Sequence, residues 1–411
     1  MAEKFKAPRG TFDVLPEQAA QRERLLQAAR EIFGLAGYRL IITPAFEDTA
    51  LFERGVGKST DIVRKEMFTF KDKGERSLTL RPEGTASVCR AYIEHGMHKL
   101  PQPVKLFYTG PFFRHERPQA GRYRQFNQIG AEAIGSDSPL VDVEVISLLS
   151  DLIEELGVPG VELRLGSLGS LDARATYLDE LKSHLRSRDQ ELSEDVRARI
   201  EINPLRAFDS DHEGTRGVMA DAPHLLDFLS EEDAEHFEQV KSYLGTASVP
   251  FTIDPTLVRG LDYYTRTIFS FVCDRLGAQS EIGGGGRYDG LIEQLGGPAT
   301  PAIGWAAGIE RILLALDEEV TSAGMDLFVV VPDPELITKA VALVSELRHH
   351  GLAVEMDLAG RSVKGQFKQA DRVNAAHTLI LEPGGTASLR NMETGDQRTV
   401  DPKAVANLIR S

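Results

Sequence analysis

Val104 to Glu132 limits the folds open to this chain more than any other stretch, because it reads as two apolar-patterned strands joined by a basic loop. Phe107, Phe112 and Phe113 supply strand propensity before the loop, and Phe126 and Ile129 supply it after. Arg114, Arg117, Arg122 and Arg124 gather around a turn containing Pro118 and Gly121. Guanidiniums on a rigid hairpin suit phosphate oxygens, which they grip in bidentate fashion. The plainer reading is a solvated tip whose arginines only keep the protein in solution.

Composition removes several classes of function. With 411 residues, 42% of them hydrophobic, the chain is long enough for two or three domains that each bury a core. Met1 to Gly10 is charged and lacks the apolar segment of an export signal, and no apolar run of ~18 residues follows. A soluble, cytoplasmic protein without membrane contact is expected. Cys89 and Cys273 stand far apart with no ligand spacing around them, which indicates neither a zinc site nor a disulfide framework. A net charge of −15 weighs against non-specific coating of nucleic acid, although it allows local contact. Between Asp326 and Ser411 ten Lys and Arg face eleven Asp and Glu, so the acidity lies almost wholly in the larger N-terminal part.

Periodicity gives the organisation. Pro16 to Gly34 has helical spacing, and Gly37 to Pro44 switches to a strand that the proline ends. Phe68-Thr-Phe and Ser77 to Leu80 form a hairpin around Asp72-Lys-Gly74, Ala86 to His95 a helix, and Leu140 to Leu156 an amphipathic helix. From about Leu171 to Leu244 the pattern is helical and charged, which reads as an inserted helical module. Strands return at Phe251 to Asp254 and Leu257 to Phe271, and the small-residue strand from Ala302 leads into a helix ending near Leu316. Beyond Gly324, Leu327–Val331, Leu336–His349, Leu352–Met356, Ser362–Ala375 and Thr378–Leu381 follow a βαβαβ order, which implies a small parallel sheet.

Familiar nucleotide motifs fail. Gly57-Lys58-Ser59 has the end of a P-loop, but its first glycine would fall on Phe52. Gly283 to Gly286 contains no dinucleotide fingerprint, because Tyr288 and Asp289 follow. What remains is a glycine run beside aromatic strands, where missing side chains let a ligand lie against backbone; a bulge or turn is the bland alternative.

Arg81-Pro-Glu83-Gly-Thr85, the hairpin from Phe113 to Glu132 and Gly308-Ile-Glu-Arg311 together resemble the signature elements of class II aminoacyl-tRNA synthetases. Leu257-Val-Arg259-Gly-Leu-Asp-Tyr263-Tyr264-Thr265 and Gly283-Gly-Gly-Gly-Arg-Tyr-Asp289 narrow the resemblance to the histidyl-tRNA synthetase family, bacterial type. It implies an α+β catalytic core built on an antiparallel sheet with flanking helices over residues 1–325, with the helical insertion at about 171–245. It further implies a C-terminal α/β anticodon-binding domain over residues 326–411. The implied reaction is ATP-dependent activation of L-histidine to histidyl-adenylate and transfer to tRNA(His), with ATP and Mg²⁺ as substrate and no tightly bound prosthetic group. Glu31 to Pro44 resembles the motif that builds a two-fold interface, which implies a homodimer.

Adenylation brings a carboxylate to the α-phosphorus of ATP, so cations must sit on both anions. By resemblance Arg114 and Arg259 flank the reacting groups, while Arg311, Arg122 and Glu116 belong to the ATP site. A lone arginine in the apolar strand around 259 is costly to bury unpaired, which independently favours an anion partner. The resemblance gives Glu132 and Tyr264 to the imidazole, with Tyr263 and Arg259 also lining the histidine pocket, and Glu83, Thr85 and Gln128 to the α-ammonium. Adjacent strand residues face opposite sides, so Tyr263 and Tyr264 share a pocket only across a bulge. Glu83 also suits a helix start, where a negative charge is favoured. No metal-ligating residues stand out.

In the tail, Arg361, Lys364, Lys368 and Arg372 line one helix face, while Val363, Phe367 and Ala370 line another. On an acidic protein that stripe suits an RNA backbone or a solvated surface. The alternative function is a non-catalytic, histidyl-tRNA synthetase-like regulatory subunit of ATP phosphoribosyltransferase. Such proteins lack the tail and depart from the histidine motifs, whereas this chain carries both.

Overall fold

The computed structural model describes residues 4–57, 60, 62–119, 121–277, 280–316 and 324–410, so Lys58 and Ser59 of the failed P-loop lie outside it. Two compact units divide the chain, Met1–Glu319 and Val320–Ser411. Among the described residues no helix is long and apolar enough to cross a membrane.

An eight-stranded sheet organises the first unit. Its strands are β1 (Arg39–Leu40), β5 (Val104–Phe113), β6 (Gln125–Ile134), β7 (Val161–Ser167), β8 (Thr252–Ile253), β9 (Thr265–Cys273), β10 (Glu281–Arg287) and β11 (Ala302–Gly308). Their order is β1-β5-β6-β11-β10-β9-β7-β8. The six inner strands pair antiparallel, and β1 and β8 add parallel edges. Short strands β2 (Phe46–Asp48), β3 (Phe68–Lys71) and β4 (Ser77–Leu80) form a separate sheet.

Helices α1 (Pro16–Leu35), α4 (Pro139–Glu155) and α8 (Glu231–Thr246) contribute to the core on one face of the large sheet. In α1, Pro16 fits the first turn, where no intrahelical N–H bond is lost, and Leu25, Ala29 and Phe33 bury one stripe at intervals of four. The Ser138 hydroxyl accepts the Leu140 N–H to start α4, whose Val145, Ile146, Leu149 and Leu152 pack with Trp305 and Phe269. α2 (Thr49–Gly55), α3 (Thr85–Glu94), α9 (Leu291–Gln294) and α10 (Ile309–Leu316) complete the helices beside the strands.

Three sequence expectations need correction. The stretch read as one inserted module contributes α5 (Leu171–Ser187), α6 (Glu194–Arg199) and α7 (Glu213–Met219), but α8 turns Phe237, Val240 and Leu244 into the sheet's own core. Helical periodicity reveals a buried stripe without revealing what buries it. The strand expected over Gly37–Pro44 shrinks to Arg39–Leu40. The strand expected from Leu257 starts only at Thr265, because Gly260 and Asp262 belong to a bend and turn that the aromatic residues disguise.

The second unit holds a five-stranded sheet in the order β13-β12-β14-β15-β16. Strands β12 (Leu327–Val330), β13 (Val354–Met356) and β14 (His377–Leu381) are parallel and alternate with α11 (Ile337–His349) and α12 (Val363–Arg372). Antiparallel β15 (Ala387–Asn391) and β16 (Gln397–Val400), with α13 (Val405–Arg410), extend the expected βαβαβ. The Ser362 hydroxyl caps α12, so Arg361 precedes the helix and pairs with Asp357 at 2.6 Å instead of joining the stripe. Lys364, Lys368 and Arg372 are exposed, but so is Val363, expected on the packed face.

Candidate active site

The face of the sheet away from α1 and α4 has been cleared of bulk. In β6 and β11, Ile129, Ala131, Ala133, Ile303, Trp305 and Ala307 belong to the helix-covered core. Alternation leaves Gln128, Gly130 and Glu132 on the other face, directly opposite Gly308, Ala306 and Gly304. Tyr108 of β5 lies across this gap, where a Cβ on Gly84 or Gly130 would stand 2.4 Å from its ring. Gly283 and Gly284 of β10 also line the resulting cavity of about 360 Å³. Gly285 has a different reason to be small, since a Cβ there would come 1.9 Å from the Gly304 carbonyl.

Four guanidiniums share the cavity, those of Arg114, Arg122, Arg259 and Arg311. Arg114 Nε donates to the Pro82 carbonyl at 2.9 Å, and its guanidinium lies 5.3 Å from the Phe126 ring centre. Arg122 contacts Glu116, another lining residue. Arg311 stands in the first turn of α10, and burial is the main reason its pKa is lowered. Arg117 is exposed and Arg124 donates to the Glu116 carbonyl at 3.3 Å; neither lines the cavity.

Arg259 meets a carboxylate the sequence had not revealed. Its Nη1 pairs with Glu281 Oε2 at 2.7 Å, its guanidinium lies 5.7 Å from the Tyr264 ring centre, and its buried Nε has no hydrogen-bond partner among the described residues. Burial, the largest single effect, would lower the arginine pKa, but Glu281 and Tyr264 together outweigh it and raise it. Burial likewise pushes Glu281 up, and Arg259 holds it below the ordinary carboxylate value. The arrangement keeps both charges.

The other predicted residues form a connected polar wall. Glu83 accepts the N–H groups of Thr85 and Ala86 at 2.7 and 2.9 Å, which caps α3, and burial raises its pKa. Thr85 Oγ1 donates to Glu132 Oε1 at 2.7 Å, and the Tyr288 hydroxyl donates to Glu132 Oε2 at 2.7 Å. Glu132 is fully buried and stands behind Thr85, outside the cavity lining, with its pKa pushed up to about 8 chiefly by burial. Gln128 Oε1 is buried in the cavity wall without a hydrogen-bond partner among the described residues. Tyr263 and Tyr264 both line the cavity, ring centres 4.7 Å apart. They precede β9 in a turn, so the rule of opposite strand faces does not apply to them.

Residues of and beside α5 and α6 hold that turn. Arg174 donates to the Tyr264 carbonyl and Arg206 to the Gly260 carbonyl, both at 2.6 Å, and Asn203 donates to Asp262 at 3.1 Å. Asp209 reaches the cavity itself. Its sequence neighbourhood is charged and helical, so only the three-dimensional contact singles it out. Glu281, by contrast, stands two residues before the glycine run, with Ile282 between, a position that could have drawn notice. Among the described residues no group of three or more His, Cys, Asp or Glu is placed to hold a metal ion.

This antiparallel-centred sheet, with arginines on a cleared face, is the architecture of class II aminoacyl-tRNA synthetases. The sequence model described as histidyl-tRNA synthetase matches residues 10–312, and that of an anticodon binding domain matches residues 326–411. A histidine–tRNA ligase of Rubrobacter xylanophilus is 48% identical, covering 98% of this chain and 99% of its own length. One of Nocardia farcinica is 49% identical, covering 99% and 98%. The crystal structure of apo histidyl-tRNA synthetase from S. aureus matches with a TM-score of 0.84 at 39% identity, covering 99% of this chain and all of that one. The chain belongs to the histidyl-tRNA synthetase family.

Proposed function

We propose that this chain is an enzyme that charges tRNA(His) with L-histidine. Histidine and ATP first give histidyl-adenylate and pyrophosphate; the histidyl group then passes to the tRNA and AMP leaves. The observation that carries this reading is the meeting in one cavity of four guanidiniums with Gln128 Oε1 and Arg259 Nε, two buried atoms that have no hydrogen-bond partner among the described residues. Cations there meet phosphate and carboxylate, and a neutral acceptor meets an ammonium.

In the first step a histidine carboxylate oxygen bonds to the α-phosphorus as the bond to pyrophosphate breaks. Arg114 and Arg259 orient the two anions and offset charge that grows in the transition state. Arg311 and Arg122, with Glu116 steering Arg122, take the distal phosphates. Glu83, Thr85 and Gln128 receive the α-ammonium, and Glu132 and Tyr264, beside Tyr263, read the ring nitrogens. Mg²⁺ enters with the triphosphate and balances its charge.

Residues 326–411 serve as the anticodon-binding domain, and residues 1–325 as the catalytic domain. The protein works in the cytoplasm as a homodimer. Leu35 and Ile42, at 91% and 80% exposure, lie in the segment expected to build the two-fold interface, and an apolar surface of this kind suits a second copy. The regulatory-subunit alternative is less supported, since the tail and both histidine motifs are present. ATP–pyrophosphate exchange measured over the twenty amino acids tests the assignment. Exchange should require histidine and Mg²⁺; equal exchange with another amino acid would overturn it.

A further inference from the structure

We infer that Tyr288 is a positioning residue for histidine specificity: its hydroxyl holds the Glu132 carboxylate as an acceptor for the imidazole N–H without itself touching the substrate. The inference rests on the proposed reading of Glu132 as the imidazole partner. Among the described residues each Glu132 oxygen has a close hydroxyl donor, Thr85 on Oε1 and Tyr288 on Oε2, while the Tyr108 hydroxyl also lowers its pKa and the Glu83 carboxylate raises it. Thr85 lines the cavity and answers to whatever binds there; Tyr288 does not, and is buried. Its donation is therefore the more constant of the two.

The surroundings fix the phenol. The Tyr288 N–H donates to the Ala302 carbonyl at 2.9 Å, and Asp289 accepts the Ala302 N–H at 3.1 Å, which ties both neighbours to β11. The preceding residue, Arg287, is locked on Asp142 by contacts of 2.7 to 3.0 Å. The ring of Tyr263 meets that of Tyr288 edge to face at 5.8 Å. On the far side, a Cβ at Gly304 would stand 1.6 Å from Glu132 Oε2, so the carboxylate lies flush against β11.

A hydroxyl that donates to a carboxyl stabilises its ionised form. Burial drives Glu132 the other way, and burial also raises the Tyr288 phenol far from ionisation, so that hydroxyl keeps its proton to donate. Without it, Glu132 takes up a proton over a wider pH range. A protonated carboxyl presents a hydrogen where the imidazole N–H needs a lone pair.

The test compares Tyr288→Phe and Glu132→Gln with the unaltered enzyme in histidine-dependent ATP–pyrophosphate exchange from about pH 6 to 9. Because all three meet the same substrate, titration of histidine itself cancels between them. Tyr288→Phe should raise KM for histidine about tenfold with KM for ATP changed less than about twofold. It should also move the pH at which KM for histidine falls upward by about one unit, the scale of one hydrogen bond to a charged group. A Tyr288→Phe protein with an unshifted pH profile would overturn the inference, even if kcat or thermal stability dropped. If Glu132→Gln leaves KM for histidine unchanged, the reading of Glu132 falls, and the role of Tyr288 with it. If Glu132→Gln raises KM and Tyr288→Phe does not, only the role of Tyr288 falls.

Discussion

Arg259 and Glu281 face each other at 2.7 Å, and a Cβ at Gly284 would stand 2.8 Å from the same arginine nitrogen. The glycine opens the space and the carboxylate aims the cation. Arg259→Ala should lower the rate of histidine-dependent exchange at least about a hundredfold, the scale of losing a contact to developing charge. Glu281→Gln keeps the cation but loosens its aim, and should cost roughly tenfold. A near-normal rate in folded Arg259→Ala protein would show that the pair is structural.

Asp142→Asn should destabilise the fold by up to about 3–5 kcal/mol, because Arg287, wholly buried, keeps its charge and loses the nearer of its two carboxylates, with Asp289 left at 3.4 Å. Urea unfolding of both proteins measures the difference. A loss within the ordinary scatter of surface substitutions, about 0.5 kcal/mol, would contradict the account of this pair.

Stability should carry a pH signature from Glu132. Its carboxyl has an ordinary value of 4.5 and sits at about 8 in the fold, so the folded protein retains a proton that the unfolded chain releases. The contribution is complete below pH 4.5 and is lost as pH rises through about 8. Glu132→Gln should flatten that part of the pH dependence of unfolding. An unchanged slope would mean that Glu132 stays ionised throughout.

Sedimentation at micromolar concentration should give a dimer, and Leu35→Asp combined with Ile42→Asp should shift it toward monomer. A fully active monomer of the unaltered chain would exclude the proposed interface.

A chain ending at Gly324 should retain histidine-dependent exchange and lose most tRNA charging, since every residue proposed for ATP or histidine precedes it. Undiminished charging would reduce the exposed Lys364, Lys368 and Arg372 to solvated surface.

Apolar patterning makes β5 and β6 readable in the sequence and small residues mark β11, whereas Gln128 and Glu132 stand out only through the family resemblance. The turn holding Tyr263 and Tyr264 carries the sequence pattern of a strand, since aromatic residues favour strands wherever they stand. Its real supports, Arg174, Asn203 and Arg206, lie more than fifty residues away and leave no periodic trace. For Arg259 the cost of an unpaired buried charge announced a partner but not which one. Glu281 occupies that place only because β10 and the turn fold onto one another. In the tail, β15 and β16 escaped notice because their outward residues, such as Arg390 and Arg398, dilute the apolar pattern.

Gly304 and Glu132 make a single unit of inheritance. A Cβ at 304 would meet the carboxylate at 1.6 Å and the Ala131 carbonyl at 2.7 Å, so alanine there needs the Glu132 side chain gone and the backbone moved as well. Loss would be a ratchet, passing through Glu132 first and closing at 304. An alanine found there in a distant descendant of this chain would record that the carboxylate, and with it the imidazole reading proposed for Glu132, had already been given up.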